Sequence, residues 1–232
     1  MNQSIDSAVE EAWVVIPAYN EESVIDEVVR ETRRFFKHVV VVDDHSRDGT
    51  AQVAFEAGAE VIRHPINLGQ GAALQTGFDF SILRGAKYVV TIDADGQHDP
   101  GEALKMLRSL LDSDHDLVLG SRFLGRVIDM PVSRRLLLKA ALLYTRITTG
   151  LILTDTHNGL RAIRKEALQK IRIKQNRMAH ASEILDQIAE KRLSYHEFGN
   201  TIRYTEYSLR KGQKASNALN IISDLFIRGL AD

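Results

Sequence analysis

Cysteine is absent from this 232-residue chain. That excludes disulfides and thiolate metal sites, and it fits a reducing cytosol. Net charge is nearly absent too, at −1. The chain therefore has no whole-molecule attraction for polyanions and is not read as a nucleic-acid binder; only local basic clusters, near Arg134 and Arg210, offer positive surface. There is no uninterrupted apolar run of spanning length, because Lys139 and Arg146 break the most apolar stretch, residues 136–153. The first twelve residues are polar and acidic, without the basic start and apolar centre of a signal peptide, so export by that route is not expected. No Gly/Ser/Pro linker, low-complexity tract or repeat divides the chain, so residues 1–232 are read as one domain.

What the chain does have is 44% hydrophobic residues, enough for one full core. Apolar, β-branched runs of strand length lie at 12–16, 39–42, 60–62, 88–92 and 117–119, mostly separated by stretches long enough for a crossover helix. The alternation predicts an α/β fold with a mostly parallel sheet flanked by helices. A first helix is expected to be capped by Asn20, with Glu21 and Glu22 in its first turn, and a second to run over 50–57 and stop at Gly58. Others are expected over 71–83 and, with Pro100 in the first turn, over 100–111. Past residue 120 the alternation gives way to a loop, the apolar helix, a helix near 182–191 and two strands near 194–198 and 201–207. Residues 12–120 thus form a ligand-binding half and residues 121–232 an elaboration on the acceptor side.

The strand beginning at Tyr88 delivers Asp93-Ala94-Asp95-Gly96-Gln97 into a turn, placing hard oxygen ligands where an α/β sheet holds its ligand. Asp93, Asp95 and Gln97 offer two carboxylates and an amide oxygen, a set suited to Mg²⁺ or Mn²⁺ completed by substrate phosphates. An EF-hand is excluded, because its sixth and twelfth positions hold His98 and Leu104 rather than Gly and Glu. His98 is read as a hydrogen-bonding loop residue. Two further strand ends converge on the same edge, one at Pro17-Ala18-Tyr19-Asn20-Glu21 and one at Asp43-Asp44-His45-Ser46. Asp43 or Asp44 can accept from a ribose hydroxyl or a base N–H, and Tyr19 can pack on a base; the competing reading of Asp43–Gly49 is a polar turn that caps the next helix. Asn67-Leu68-Gly69-Gln70-Gly71 lacks the third glycine of a dinucleotide fingerprint and the Lys-Ser/Thr of a P-loop, leaving either a close backbone approach to the nucleotide or plain turn chemistry.

Together with Gly120-Ser121-Arg122 and Asp155-Thr156-His157-Asn158-Gly159-Leu160-Arg161, these motifs resemble family 2 glycosyltransferases of the GT-A fold, and more narrowly the polyprenyl-phosphate (dolichyl-phosphate mannose or glucose) synthases, over residues 12–170. The resemblance implies a metal-dependent, inverting transfer of sugar from a UDP- or GDP-linked donor to a polyprenyl phosphate at the cytoplasmic face of a membrane. It implies donor contacts from Pro17, Tyr19, Glu21, Asp43, Asp44, Asn67, Gly69 and Asp93, a metal on Asp93, Asp95 and Gln97, and catalytic roles for Asp95 and for Arg122 near the phosphates. The chemistry agrees with this, since cleavage of a sugar–phosphate bond develops charge that a metal and arginines stabilise.

On the acceptor side, Arg135, Lys139 and Arg146 fall within roughly 40° of one another on a helix, with Leu136, Ala140, Leu143, Tyr144, Ile147 and Leu151 assigned to the opposite side, an interfacial pattern. An ordinary helix packed on the domain fits the same pattern, and the resemblance favours the interface. Arg134, Arg135 and Arg210 are the expected acceptor-phosphate contacts, although Leu138 stands where similar enzymes carry a serine. A basic loop at 207–214 and an amphipathic helix at 216–230 end the chain. With no span in the sequence, stable residence at a membrane calls for anionic lipid or a small membrane-embedded partner subunit. A hydroxyl acceptor would need a base, for which only Asp155, His180 or Glu183 can be named. A phosphate acceptor, with a second pKa of about 6, is already largely dianionic and needs little help. The alternatives are a family 2 enzyme that extends a glycan on a hydroxyl, and a non-catalytic nucleotide-binding scaffold.

Overall fold

A computed structural model describes residues 5–128, 130, 132–176, 179–204 and 207. Seven strands form one sheet in the order β3-β2-β1-β4-β6-β5-β7. β1 (Ala12–Ala18), β2 (His38–Asp43), β3 (Glu60–Arg63) and β4 (Tyr88–Thr91) are parallel neighbours, as are β5 (Leu117–Ile128) and β7 (Tyr195–Arg203). β6 (Arg161–Arg164) runs antiparallel between β4 and β5 and joins the two halves. Successive residues of a buried strand face opposite sides, so two cores form. Val14, Ile16, Val90, Val118 and Ala162 belong to one, with Met106 and Leu107 of α5 (Pro100–Leu111). Trp13, Val15, Val89, Leu117 and Ile163 belong to the other, with Phe78 of α4 (Gln70–Leu83) and Ile184 of α8 (His180–Glu190).

Local signals act where expected at several ends. Asp99 caps α5 by accepting from the Gly101 N–H at 2.7 Å, one residue before Pro100. Gly58, at φ 99°, ends α3 (Thr50–Glu56), where its N–H donates to Phe55 O at 2.9 Å.

Three expectations are corrected. Asn20 is not the cap of the first long helix: it sits at φ 53°, and its Oδ1 accepts from the Arg47 N–H at 2.8 Å, tying the loop after β1 to the loop after β2. The first long helix, α2 (Ile25–Arg33), begins five residues later, after a turn in which the Val24 N–H donates to Glu21 O. The strands expected near 194–198 and 201–207 are one strand, β7; the irregularity lies in β5, whose pairing jumps between Ser121 and Arg126. β6 itself went unpredicted, because four residues flanked by arginines carry no strand-length apolar run.

Candidate active site

The loops after β1 and β2 are zipped into one wall. The Asp44 N–H donates to Ala18 O at 2.9 Å, the Asn20 N–H to Ser46 Oγ at 2.9 Å and the Glu21 N–H to Thr50 Oγ1 at 2.8 Å. Pro17 fits within β1 because its nitrogen falls on the β4 side, where the ladder has already ended at Val15↔Thr91. Tyr19 stands at the lip of the wall, 38% exposed. Glu21 is buried and accepts from the Tyr207 hydroxyl at 2.6 Å; burial and this bond push the Tyr207 phenol up to about 12.

The two adjacent aspartates differ in kind. Asp44 accepts from the Leu68 N–H at 2.8 Å, from the Gly69 N–H at 2.6 Å and from His64 Nδ1 at 2.8 Å, so its carboxylate is committed to holding the 64–69 loop. Asn67 reinforces that loop by donating to Asp44 O at 3.0 Å, and Gly69 turns it at φ 102°. In the structure the start of Asn67–Gly71 is a turn held around Asp44. Asp43 accepts from Ser46 through Oδ1, whereas its buried Oδ2 has no hydrogen bond and lies 3.1 Å from Arg63 Nε.

At the end of β4, Asp93 Oδ1 accepts from Gln70 Nε2 at 3.1 Å, and Oδ2 lies 3.3 Å from His98 Nε2. Burial would raise the Asp93 carboxyl, but the His98 bond and the nearby His98, Arg161 and His180 hold it below the ordinary carboxylate value. Asp95 is displaced the other way, since burial and the neighbouring charge of Asp93 push it up to about 6. The Gln97 N–H donates to Asp95 Oδ1 at 3.1 Å, closing the turn that presents both acids. Two carboxylates close enough to repel form an oxygen donor pair of the kind that fits Mg²⁺ or Mn²⁺.

Arg122 departs from expectation. Rather than presenting its charge to a phosphate, it is buried, with Nε on Asp155 at 2.6 Å, Nη1 on the Tyr204 hydroxyl at 2.8 Å and Nη2 on His157 O. Burial opposes its charge, but Asp155 and Tyr204 outweigh this and hold the guanidinium above its ordinary value. β5 continues through position 122 and turns the side chain into the protein, where the buried carboxylate of Asp155 receives it. Asp155 is fixed in turn by Glu197 of β7, which accepts from the Thr154 and Asp155 N–H groups at 2.9 and 3.1 Å. Glu183 accepts from the Lys174 and Gln175 N–H groups, so it holds a loop.

The sequence reading left Gln70, Gly159, Arg161, Glu197 and Tyr204 without roles. Gln70, Gly159 and Arg161 lay inside quoted motifs, whereas Glu197 and Tyr204 carried no local signal. On the acceptor side, α6 (Val132–Thr149) packs on α8 through the side that buries Leu138 and Thr145. Leu136, Leu143 and Ile147 are 65, 60 and 75% exposed, with Arg135, Lys139 and Arg146 exposed beside them. The apolar and basic groups therefore adjoin on one solvent face rather than opposing each other. The Arg134 side chain, Arg210, most of the 207–214 loop and the 216–230 helix lie outside the described residues.

A mostly parallel sheet that brings the loops after β1 and β2 to the same edge as the Asp93–Asp95 pair has the GT-A arrangement. Residues 13–172 match the sequence profile of glycosyl transferase family 2, and the chain belongs to that family. It is 30% identical over 222 residues to a UDP-N-acetylglucosamine–dolichyl-phosphate N-acetylglucosaminyltransferase of Methanococcus voltae, covering 86% of this chain and 88% of that one. To a polyprenol monophosphomannose synthase of Mycolicibacterium smegmatis it is 38% identical over 168 residues, 68% of this chain and 63% of the other. Among solved structures, glucosyl-3-phosphoglycerate synthase of Mycobacterium tuberculosis, in complex with Mn²⁺ and UDP-glucose, shares the fold with a TM-score of 0.72 at 22% identity, covering 97% of this chain and 83% of that one.

Proposed function

We propose that this glycosyltransferase moves a sugar from a nucleotide-sugar donor to a polyprenyl phosphate at the cytoplasmic face of a membrane, with inversion at the sugar carbon. The observation that carries the reading is the Asp93–Asp95 pair at the end of β4, beside the wall built by the loops after β1 and β2. Asp43, Tyr19 and Glu21 line the nucleoside side, with Asp44 acting through the loop it holds. Asp93, Asp95 and Gln97 hold Mg²⁺ or Mn²⁺, which supplies Lewis-acid stabilisation of the departing diphosphate. A phosphate oxygen of the acceptor attacks the anomeric carbon, the bond from that carbon to the donor's phosphate oxygen breaks, and the nucleoside diphosphate leaves with the electron pair.

The names of the curated relatives and the fixed carboxylates both support a phosphate acceptor. Asp155 is paired with Arg122 and Glu183 holds a loop, so neither stands ready to take a proton from a hydroxyl. The exposed apolar and basic face of α6 supports docking on anionic lipid, each cation contributing on the order of 1 kcal/mol near the surface. Among the described residues no helix is long and apolar enough to cross a membrane. The test is a transfer assay with a panel of UDP- and GDP-sugars, Mn²⁺ and a polyprenyl phosphate in anionic vesicles. A glycosyl-phosphoryl lipid is the expected product. Transfer only to a soluble sugar hydroxyl would instead make the protein a glycan-extending enzyme.

A further inference from the structure

We infer that Arg161 is the protein's own fixed cation for the donor's diphosphate, a catalytic residue that touches the leaving group. The inference rests on the donor reading above and adds to it the residue that recognises the phosphates.

Position comes first. Arg161 opens β6 and is registered against Thr91 of β4 on one side and Leu119 of β5 on the other. Paired residues of an antiparallel ladder share a face, so Arg161 projects on the same side as Thr91, two residues before Asp93 leaves the strand. It lies within electrostatic reach of Asp93 and Asp155.

Its state is unusual for its depth. Arg161 is 4% exposed, yet among the described residues no hydrogen bond or ion pair reaches its guanidinium. Two neighbouring arginines are engaged: Arg122 on Asp155, Tyr204 and His157 O, and Arg164 on the carbonyls of Leu110, Ser113 and His115. Burial weakens the hold of Arg161 on its proton, and the charges of Asp93 and Asp155 only partly offset this. A buried guanidinium with unfilled donors is costly and persists where a ligand completes it. A cation placed merely to neutralise Asp93 would pair with it, but the Asp93 oxygens instead take Gln70 and His98. The planar fork of five N–H donors matches phosphate oxygens, and at this strand end the ligand chemistry it fits is a diphosphate.

The test is calorimetric titration of the full chain, with Mn²⁺ present throughout, by UDP and GDP and by uridine and guanosine, on the unaltered protein, Arg161→Met and Arg161→Lys. Arg161→Met should weaken binding of the preferred diphosphate on the order of 10- to 100-fold while leaving its nucleoside unaffected, with partial recovery in Arg161→Lys, which keeps the charge without the fork. The ligand-free Arg161→Met protein should melt within a few degrees of the unaltered one. An unchanged ratio of diphosphate to nucleoside affinity would overturn the assignment, and so would a collapse of the ligand-free variant, because Arg161 would then be holding the fold. Unaltered protein that binds the diphosphate but transfers no sugar would sink the transfer reading and leave Arg161 standing; protein that binds neither diphosphate would sink both.

Discussion

Gly159 is the floor on which Asp93 rests: a Cβ built at position 159 would fall inside the van der Waals envelope of the Asp93 carboxylate. Position 159, the fifth of the Asp155–Arg161 motif, is therefore glycine because the side chain of Asp93, the proposed metal ligand, occupies the space a methyl group would need.

That packing makes Gly159→Ala a probe of the metal site. The added methyl should push the Asp93 carboxylate out of place, lowering Mn²⁺ affinity and kcat/KM by about 100-fold with little change in overall secondary structure. Metal titration of the purified variant reads the first effect and steady-state kinetics the second. Unaltered Mn²⁺ affinity would show that Asp93 is not a ligand.

Asp95 sets activity against stability. Its carboxyl is pushed up to about 6 in the folded protein, from an ordinary aspartate value of about 3.9. Between these values folding takes up a proton, so in metal-free protein the Asp95 contribution to stability falls as pH rises through that window, and the penalty is complete above it. Asp95→Asn should therefore stabilise the metal-free protein at pH 7.5 by on the order of 1–2 kcal/mol, an advantage that vanishes near pH 4, while reducing transfer by orders of magnitude. Thermal melts at both pH values, in EDTA, check the sign.

The contrast between Asp43 and Asp44 predicts opposite phenotypes. Asp44→Ala removes the acceptor for two loop N–H groups and a histidine, and should lower stability by about 2–4 kcal/mol. Asp43→Asn should instead raise the donor KM with a smaller change in kcat, the pattern of lost uniform binding. Chemical denaturation alongside donor kinetics would reveal a reversal of these roles.

On α6, replacing Arg135, Lys139 and Arg146 with glutamine should release the protein from anionic vesicles and depress transfer to lipid, while donor affinity stays unchanged. Serine at Leu136, Leu143 and Ile147 should do the same in a salt-independent way, since it removes apolar insertion rather than charge. High salt should mimic only the first triple variant. Co-sedimentation with vesicles at two salt concentrations separates the two contributions. Failure of the unaltered protein to bind would point to a membrane-embedded partner as its anchor.

Much of this protein is written in short-range pattern. The β-branched runs, Pro100 after Asp99, and Gly58 determined strands and helix ends, because those choices depend on neighbours a few residues away. The convergence of Pro17–Glu21, Asp43–Asp44 and Asp93–Gln97 was legible as well, since a parallel sheet brings the carboxyl ends of its strands to one edge. What only the tertiary structure decided is which donors and acceptors are already taken. Sequence cannot distinguish Arg122, matched to Asp155 33 residues away, from Arg161, which no described partner reaches, or Asp44, bound to the 64–69 loop, from Asp43 beside it. Nor could it place β6, whose four residues become a strand because β4 and β5 present open edges on either side. Propensity is local, whereas the pairing of a buried charge depends on which distant segments the closed sheet brings against it.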